Sequence, residues 1–258
     1  VLTYPFGGNG VVLDQVGGLE FRNLTIRGAL VGVVANQARY CDFEFVRCEH
    51  GTRGFDLSSS ADMSFRHCVA WGNSDRGLSS VGAAGAGRGI SWDNGVLWSN
   101  FNGVYVNHPD NRDCTIQNSI IGAFEPGGFA YFLIRAGWTS DYNNIFLTNG
   151  AYAAAVISGG YIGGMTSRYE AVADWVRAMG QDTNTQTWSP RFADERNGDF
   201  HLKSWSGRYV PGAGWTNDAK NESSFIIDGG NPKSGYTNEL MPNGGRVNID
   251  LYGNTPQA

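Results

Sequence analysis

The chain has 258 residues, of which 41% are hydrophobic and 13% aromatic, a composition that excludes a disordered protein. The formal net charge is -5, and lysine occurs only at Lys203, Lys220 and Lys233, so no broad basic field exists for a nucleic-acid backbone. No apolar run approaches the ~20 residues that span a bilayer. We therefore expect neither a nucleic-acid partner nor membrane insertion.

The N-terminal part of the sequence contains a repeated pattern with an interval of 20 to 27 residues. The repeats begin at Phe21, Phe45, Phe65, Trp92, Ile116 and Asp141. A second series follows, in which glycine precedes an apolar residue: Gly32, Gly54, Gly77, Gly103 and Gly128. Two series that drift together are typical of coils with fixed strands and variable loops.

Apolar residues alternate over only three to five positions within each repeat, as in Leu24-Thr25-Ile26, which is strand periodicity. Strands this short bury a face only by stacking on the next coil. The pattern predicts an all-β, right-handed parallel β-helix of about six coils over residues 1–160.

Equivalent residues on successive coils lie ~4.8 Å apart and form ladders. We expect Asn23, Asn94, Asn118 and Asn143 to form an amide ladder, and Cys48 and Cys68 to share one position. The four cysteines are Cys41, Cys48, Cys68 and Cys114. Their spacing does not indicate zinc, and it leaves disulfides and buried thiols as alternatives.

Residues 161–258 differ in kind from the coils. Ser167–Met179 has helical periodicity, with Thr166 or Ser167 as the cap and Gly180 as the stop signal. This pattern predicts one amphipathic helix that covers a sheet edge or an open core end. A loop-rich C-terminal cap follows it.

Several C-terminal runs carry a family resemblance. They are Tyr169–Trp175, Gly180–Asp182, Pro190–Phe192, Gly198–Leu202, Ile227–Pro232 and Pro242–Thr255. These runs resemble the C-terminal end of secreted bacterial right-handed parallel β-helix proteins, which are similar to pectate lyases. The resemblance implies carbohydrate as the partner and a secreted or cell-surface location. It does not select among lyases, hydrolases, adhesins and binding modules.

One candidate catalytic site lies beside the glycine series. Arg53 and Arg76 precede successive glycines, Asp75 adjoins Arg76, and Asp56 and Tyr105 stand two positions after a glycine. Arginine neutralises the carboxylate of a uronic acid, and an aspartate can remove the adjacent proton. The alternative is a solvated strand face on which Arg–Asp pairs contribute little.

A second candidate is the loop that contains His108, Asp110, Arg112 and Asp113. Its dense polarity indicates either a catalytic site or a turn with local capping bonds. Calcium is the candidate cofactor, with no ligand set assigned.

Trp71 and Trp98 occupy equivalent positions in adjoining repeats. If they point outward they form a platform for sugar rings, together with Tyr105 as a substrate-binding residue; if inward, they fill the core. The sequence thus predicts a polysaccharide-engaging β-helix, either a lyase or hydrolase or a non-catalytic binding module, adhesin or structural segment.

Overall fold

Parallel strands stack along one axis in a β-solenoid of about six turns, as predicted. The computed structural model describes residues 1–4, 7–82, 87–107, 112–134, 138–158, 165–241 and 243–258. Within them, no helix is long and apolar enough to cross a membrane.

The first face of the solenoid is one parallel sheet. Its strands are β2 (Asn9–Asp14), β4 (Val31–Asn36), β6 (Arg53–Ser58), β9 (Arg76–Val81), β12 (Asn102–Asn107), β15 (Phe129–Ile134) and β18 (Tyr152–Ser158). Each pairs in parallel with the strand one turn away. β19 (Met165–Tyr169) then adds to β18 in the antiparallel sense.

A second, bent sheet provides the other two faces. β1 (Leu2–Thr3) pairs with β3 (Glu20–Arg27), and β3 and β5 (Arg39–Glu49) run across the bend. The second face continues with β7 (Ala61–Arg66), β10 (Ile90–Asp93), β13 (Cys114–Gln117) and β16 (Trp138–Asp141). The third face continues with β8 (Val69–Trp71), β11 (Val96–Trp98), β14 (Ile120–Ala123) and β17 (Asn144–Leu147).

The register of the repeats differs from the predicted one at two coils. Phe43, and not Phe45, pairs with Phe21 and Phe65. The ring of Phe43 stacks on that of Phe21 with centroids 5.1 Å apart and on that of Phe65 with centroids 4.9 Å apart. Ser140, and not Asp141, pairs with Ile116. Phe45 instead has a φ of +52° and lies at the bend between the second and third faces.

The predicted asparagine ladder is wrong as a set. Asn23, Asn94 and Asn118 share the bend and have left-handed φ angles, which asparagine tolerates, but Asn143 lies one residue beyond it. Asn118 donates its amide to Asp93 and Ser234 and not to another member of the set. A direct amide ladder joins Asn73 to Asn100, with Nδ2 and Oδ1 2.9 Å apart.

The glycine series marks a position where neighbouring atoms leave no room for a Cβ atom. A Cβ on Gly54 would lie 2.5 Å from the carbonyl oxygen of Gly77 and 2.7 Å from the Cβ of Ala70. The strand pairings align Gly54 with Gly32, Gly77 and Gly103 and replace Gly128 with Ala130. Glycine is needed here for close approach, not for an unusual φ.

The four cysteines are free and buried, so the thiol alternative is the observed one. Cys48 pairs with Ile26 and Ala70 on the third face, whereas Cys68 lies before β8, so the two do not share a ladder position. The displaced register at Phe45 explains that error.

The C-terminal helix is shorter than predicted. α1 spans Val172–Met179, Ala171 precedes it without a side-chain cap, and Gly180 ends it at a φ of +65°. Ser167 to Tyr169 are in β19, because they pair with the edge of β18. Trp175 is 1% exposed and its ring lies 5.9 Å from that of Tyr131, so the helix closes the end of the solenoid core, as expected.

The remaining C-terminal chain covers the third face. Its elements are β20 (Phe192–Asp194), β21 (Asp199–Leu202), β22 (Arg208–Val210), β23 (Gly214–Thr216) and two 3-10 turns, Glu195–Asn197 and Lys220–Glu222. Phe192, Phe200 and Ile226 pack against Val69, Val96 and Ile120 in a second hydrophobic core.

Candidate functional site

The outer surface of the first face brings together the charged residues predicted at the glycine series. Arg53 donates from Nη1 to Asp56 over 2.7 Å and from Nε to Asp75 over 2.9 Å. Arg76 forms an ion pair with the other oxygen of Asp75 at 3.3 Å. These four side chains, the Arg–Asp cluster, therefore form one network across β6 and β9.

The strand register explains this convergence. Arg53 pairs with Arg76, and Asp56 pairs with Ser79, so like positions are stacked on adjacent turns. The hydroxyl of Ser79 donates to Asp56. Two stacked guanidinium groups would repel each other, but Asp75 lies between them and neutralises that repulsion.

Protonation in the cluster follows from its contacts. Burial lowers the pKa of Arg53, but the hydrogen bonds and charges of Asp56 and Asp75 outweigh it and leave the pKa raised. Since all four side chains keep a solvent-exposed fraction, each remains accessible to a bound molecule. The cluster offers donors and acceptors with no net charge.

Tyr105 lies beside the cluster on the next turn. Its ring is 9% exposed because the Arg76 guanidinium covers it, with Cζ 3.5 Å from the ring centroid. This cation–π contact fixes the plane of the guanidinium. Tyr105 therefore lies on the same patch as the Arg–Asp cluster, and its role in binding stays a prediction.

Aromatic rings continue the site along the solenoid axis. Phe132 stacks on Tyr105 with centroids 5.2 Å apart, and Phe129 stacks on Tyr152 at 5.1 Å. The two stacks meet edge to face at Phe129 and Phe132, 5.5 Å apart. Tyr105, Phe129, Phe132 and Tyr152 form what we call the aromatic ladder.

Three members of the aromatic ladder were missed from the sequence. The glycine series aligned Phe129 with Val104, whereas the structure pairs Phe129 with Asn102 and Phe132 with Tyr105. The available signal was the concentration of three aromatic residues within Phe129–Phe132, which is more than the inside of one coil takes up.

The second predicted site is not joined to the first in the described chain. His108 and Asp110 lie outside the described residues. Arg112 and Asp113 are exposed just before β13, and no hydrogen bond or ion pair within the described ranges links them to the Arg–Asp cluster. Asp113 has a φ of +59°, consistent with its role as a turn residue.

The two tryptophans do not form an exposed platform. Trp71 and Trp98 pair in register, as expected, but the C-terminal chain covers them. Trp98 is 5% exposed and packs on Phe124 and Phe192 at 4.6 and 4.8 Å. Trp71 contacts Phe200. Both belong to the second hydrophobic core, outside the coil.

The described residues contain no group of three His, Cys, Asp or Glu side chains arranged to hold a metal ion. The described part of the chain therefore offers no set of side-chain ligands for the predicted calcium ion.

Comparison with protein families gives one match. The family model described as the right-handed beta helix region matches residues 9–166, which includes every strand of the first face and the start of β19. Searches of the curated proteins and of the solved structures gave no match.

Proposed function

Since this chain belongs to the right-handed β-helix family, whose members include polysaccharide-active proteins, we propose that its first face binds a polysaccharide outside the cell or at its surface. The observation that carries the proposal is the continuity of the Arg–Asp cluster with the aromatic ladder. The resemblance of the C-terminal runs to secreted β-helix proteins supports the location.

The arrangement suits a linear polymer. Turns of a parallel solenoid are ~4.8 Å apart, so a chain along the axis meets a new set of side chains at each turn. The half-buried rings of Phe132 and Tyr152 can pack against the apolar faces of sugars, and the Arg–Asp cluster offers hydrogen bonds to hydroxyls. The rings and charges occur on consecutive turns from β6 to β18.

Acidic polysaccharides fit best. Arg53 and Arg76 stand on adjacent turns, and the guanidinium group of Arg76 keeps a solvent-exposed part beside its 3.3 Å ion pair with Asp75. A carboxylate is the natural bidentate partner of a guanidinium group, so a uronate would compete with Asp75 for Arg76.

Cleavage by β-elimination is a second candidate, favoured by two arginines on adjacent turns with Asp56 on the same strand as Arg53. In that reaction an arginine would neutralise the uronate carboxylate and Asp56 would remove the proton from C5. The C4–C5 double bond would form as the glycosidic C4–O bond breaks, and the leaving oxygen would take a proton from solvent. Binding alone requires fewer assumptions, because both aspartates are engaged by Arg53.

The test is affinity electrophoresis through polygalacturonate, alginate and dextran, with the same mixtures assayed at 232 nm and for new reducing ends. We expect retardation by the acidic polymers, lost in Phe132→Ala and Arg76→Ala. Thr115→Ala, an exposed change on the second face, is the control and should leave retardation unchanged.

Three results distinguish the possibilities. A rise at 232 nm would make the protein a lyase, and reducing ends alone would indicate hydrolysis. Absence of retardation by every polymer, or retardation that Phe132→Ala and Arg76→Ala leave intact, would refute the proposed site.

A further inference from the structure

A cavity of about 250 Å³ lies in the C-terminal chain, away from the first face. Its walls come from β21, β22, β23 and the loops that follow them. The polar and aromatic residues in the walls that matter here are His201, Arg208, Trp215, Asp228, Glu239 and Asp250. The cavity is smaller than the ~300–1,000 Å³ pockets of drug-sized ligands, so a ligand of monosaccharide size fits it.

His201 is in the wall of this cavity and has one ring nitrogen without a partner in the described part of the chain. Its side chain is 2% exposed, and Nδ1 is 2.6 Å from Oδ1 of Asp199. Tyr252 stacks on the imidazole at 3.7 Å, which fixes the ring. Nε2 is buried and has no hydrogen-bond partner among the described residues. In the tautomer whose Nδ1–H donates to Asp199, Nε2 carries a lone pair and can accept a hydrogen bond.

Asp228 adds a carboxylate to the wall. It is half-buried, and within the described chain its oxygens accept no hydrogen bond, although its backbone N–H donates to Asn248. Burial raises the pKa of Asp228, which Arg246 offsets only in part. A half-buried carboxylate of this kind can exchange bound water for the donors of a ligand.

Glu239 and Asp250 are further acidic groups in the wall. Oε1 of Glu239 accepts the backbone N–H groups of Asn248 and Asn254, which leaves Oε2 without a donor in the described structure. Oδ1 of Asp250 accepts the N–H of Tyr252. Burial and the neighbouring Glu239 raise the pKa of Asp250 to about 7.

Some of the donors in the wall are already engaged. Arg208 donates from Nε to Asp218 over 2.7 Å, and the hydroxyls of Ser204 and Ser206 bond each other at 2.9 Å. Three carboxyl groups in the wall, Asp228, Glu239 and Asp250, face one guanidinium group, Arg208, so acidic side chains are in excess. A ligand that fits must bring several donors and a positive charge.

We propose that this cavity binds a protonated amino sugar, with its ammonium group at Asp228 and Nε2 of His201 and its ring against Trp215. An ammonium group supplies three donors and no acceptor, which matches the unsatisfied acceptors of the wall. Trp215 is 47% exposed and offers an indole face to both the sugar ring and the cation. The site shares no residue with the first face and does not depend on the function proposed there.

The test uses isothermal titration with glucosamine, N-acetylglucosamine and glucose, which share a ring and differ at one substituent. Only glucosamine carries an ammonium group, so we expect saturable binding of glucosamine that is at least tenfold tighter than that of either uncharged sugar. Asp228→Asn should weaken the binding of glucosamine at least tenfold. Asp174→Asn, the same change at an exposed site on α1, should not alter it.

Folding of each variant is checked by its thermal midpoint and circular dichroism. Asp228→Asn should fold, because the Asp228 carboxylate accepts no hydrogen bond from the described residues. The proposal is overturned if glucosamine does not bind, if the uncharged sugars bind equally well, or if folded Asp228→Asn binds glucosamine as the unaltered chain does.

Discussion

Arg76 covers the ring of Tyr105, with the guanidinium carbon 3.5 Å from the ring centroid, while Asp75 approaches Nε of the same group at 3.3 Å. The contact links the Arg–Asp cluster to the aromatic ladder, since Tyr105 stacks on Phe132. The orientation of Arg76 therefore determines how the charged and aromatic halves of the first face meet.

A double-mutant cycle measures this link. We expect Arg76→Lys and Tyr105→Leu each to lower the free energy of unfolding by roughly 1–2 kcal/mol, because lysine lacks the planar group and leucine lacks the π face. The double variant should lose about 1 kcal/mol less than the sum. Urea unfolding provides the four values. Strictly additive losses would show that the stacked geometry contributes no coupling.

Gly54→Ala should be among the most destabilising single changes in the solenoid. Its Cβ would meet the backbone oxygen of Gly77 at 2.5 Å, and backbone cannot move aside as a side chain can. We expect a loss above ~3 kcal/mol in urea unfolding, or failure to fold.

Gly150→Ala is the matched control for Gly54→Ala. Gly150 has a φ of +78° and nothing within 4 Å of the added Cβ, so only backbone strain of about 1 kcal/mol applies. Equal losses at Gly54 and Gly150 would contradict the account of close approach.

The solenoid could be predicted from the sequence because stacked turns need the same type of residue at equivalent positions. Gly32, Gly54, Gly77 and Gly103 occupy one column, and Arg53 and Arg76 adjoin two of its members. The errors in register arose where two residues of the same type in one coil both fitted the repeat. Phe45 was aligned with Phe65, although its backbone is left-handed and its ring stacks on His67.

The C-terminal cavity could not be predicted in this way. His201, Asp228 and Asp250 have no periodic relation to one another, and they meet only because loops fold back onto the third face. The burial of Trp98 had the same cause: its contact with Phe192 spans 94 positions, the difference between 192 and 98. Local pattern carries no information about such contacts.

Asp182 should be essential to the end of the solenoid that α1 closes. It is 2% exposed and accepts hydrogen bonds from Trp175, Ser140 and Thr185 at 2.9, 2.9 and 2.7 Å. Asp182→Ala leaves several buried donors without a partner. We expect a loss of roughly 3–5 kcal/mol in urea unfolding.

Asp174→Ala is the control for Asp182→Ala, because Asp174 is exposed and forms only a surface ion pair with Arg177. We expect it to change the free energy of unfolding by no more than ~0.5 kcal/mol. A small effect at Asp182 would show that α1 is held chiefly by its apolar contacts.

The cysteines should be unreactive until the chain unfolds. Burial raises the pKa of Cys68 to about 12 and that of Cys114 to about 11, so neither forms the reactive thiolate at neutral pH. We expect less than one thiol to react with Ellman's reagent in native buffer and four in denaturant. Four reactive thiols only after added reductant would establish disulfides instead.

Stability should fall as the pH rises through the range in which Asp250 ionises. Burial and Glu239 raise the pKa of Asp250 from 3.8 to about 7, so the folded chain binds the proton more tightly than the unfolded chain. Its contribution is fully present below pH ~4 and is lost as the pH rises to about 7. Asp250→Asn stays neutral and should lack this loss.

The measurement is the difference in thermal midpoint between the unaltered chain and Asp250→Asn from pH 4 to 8, which cancels the titration of groups common to both. We expect the thermal midpoint of the unaltered chain to fall relative to that of Asp250→Asn as the pH rises. Glu239→Gln removes the neighbouring carboxylate that helps to raise the pKa of Asp250. It should therefore move the decline to lower pH, and a difference that stays constant across the range would show that Asp250 does not titrate in the folded chain.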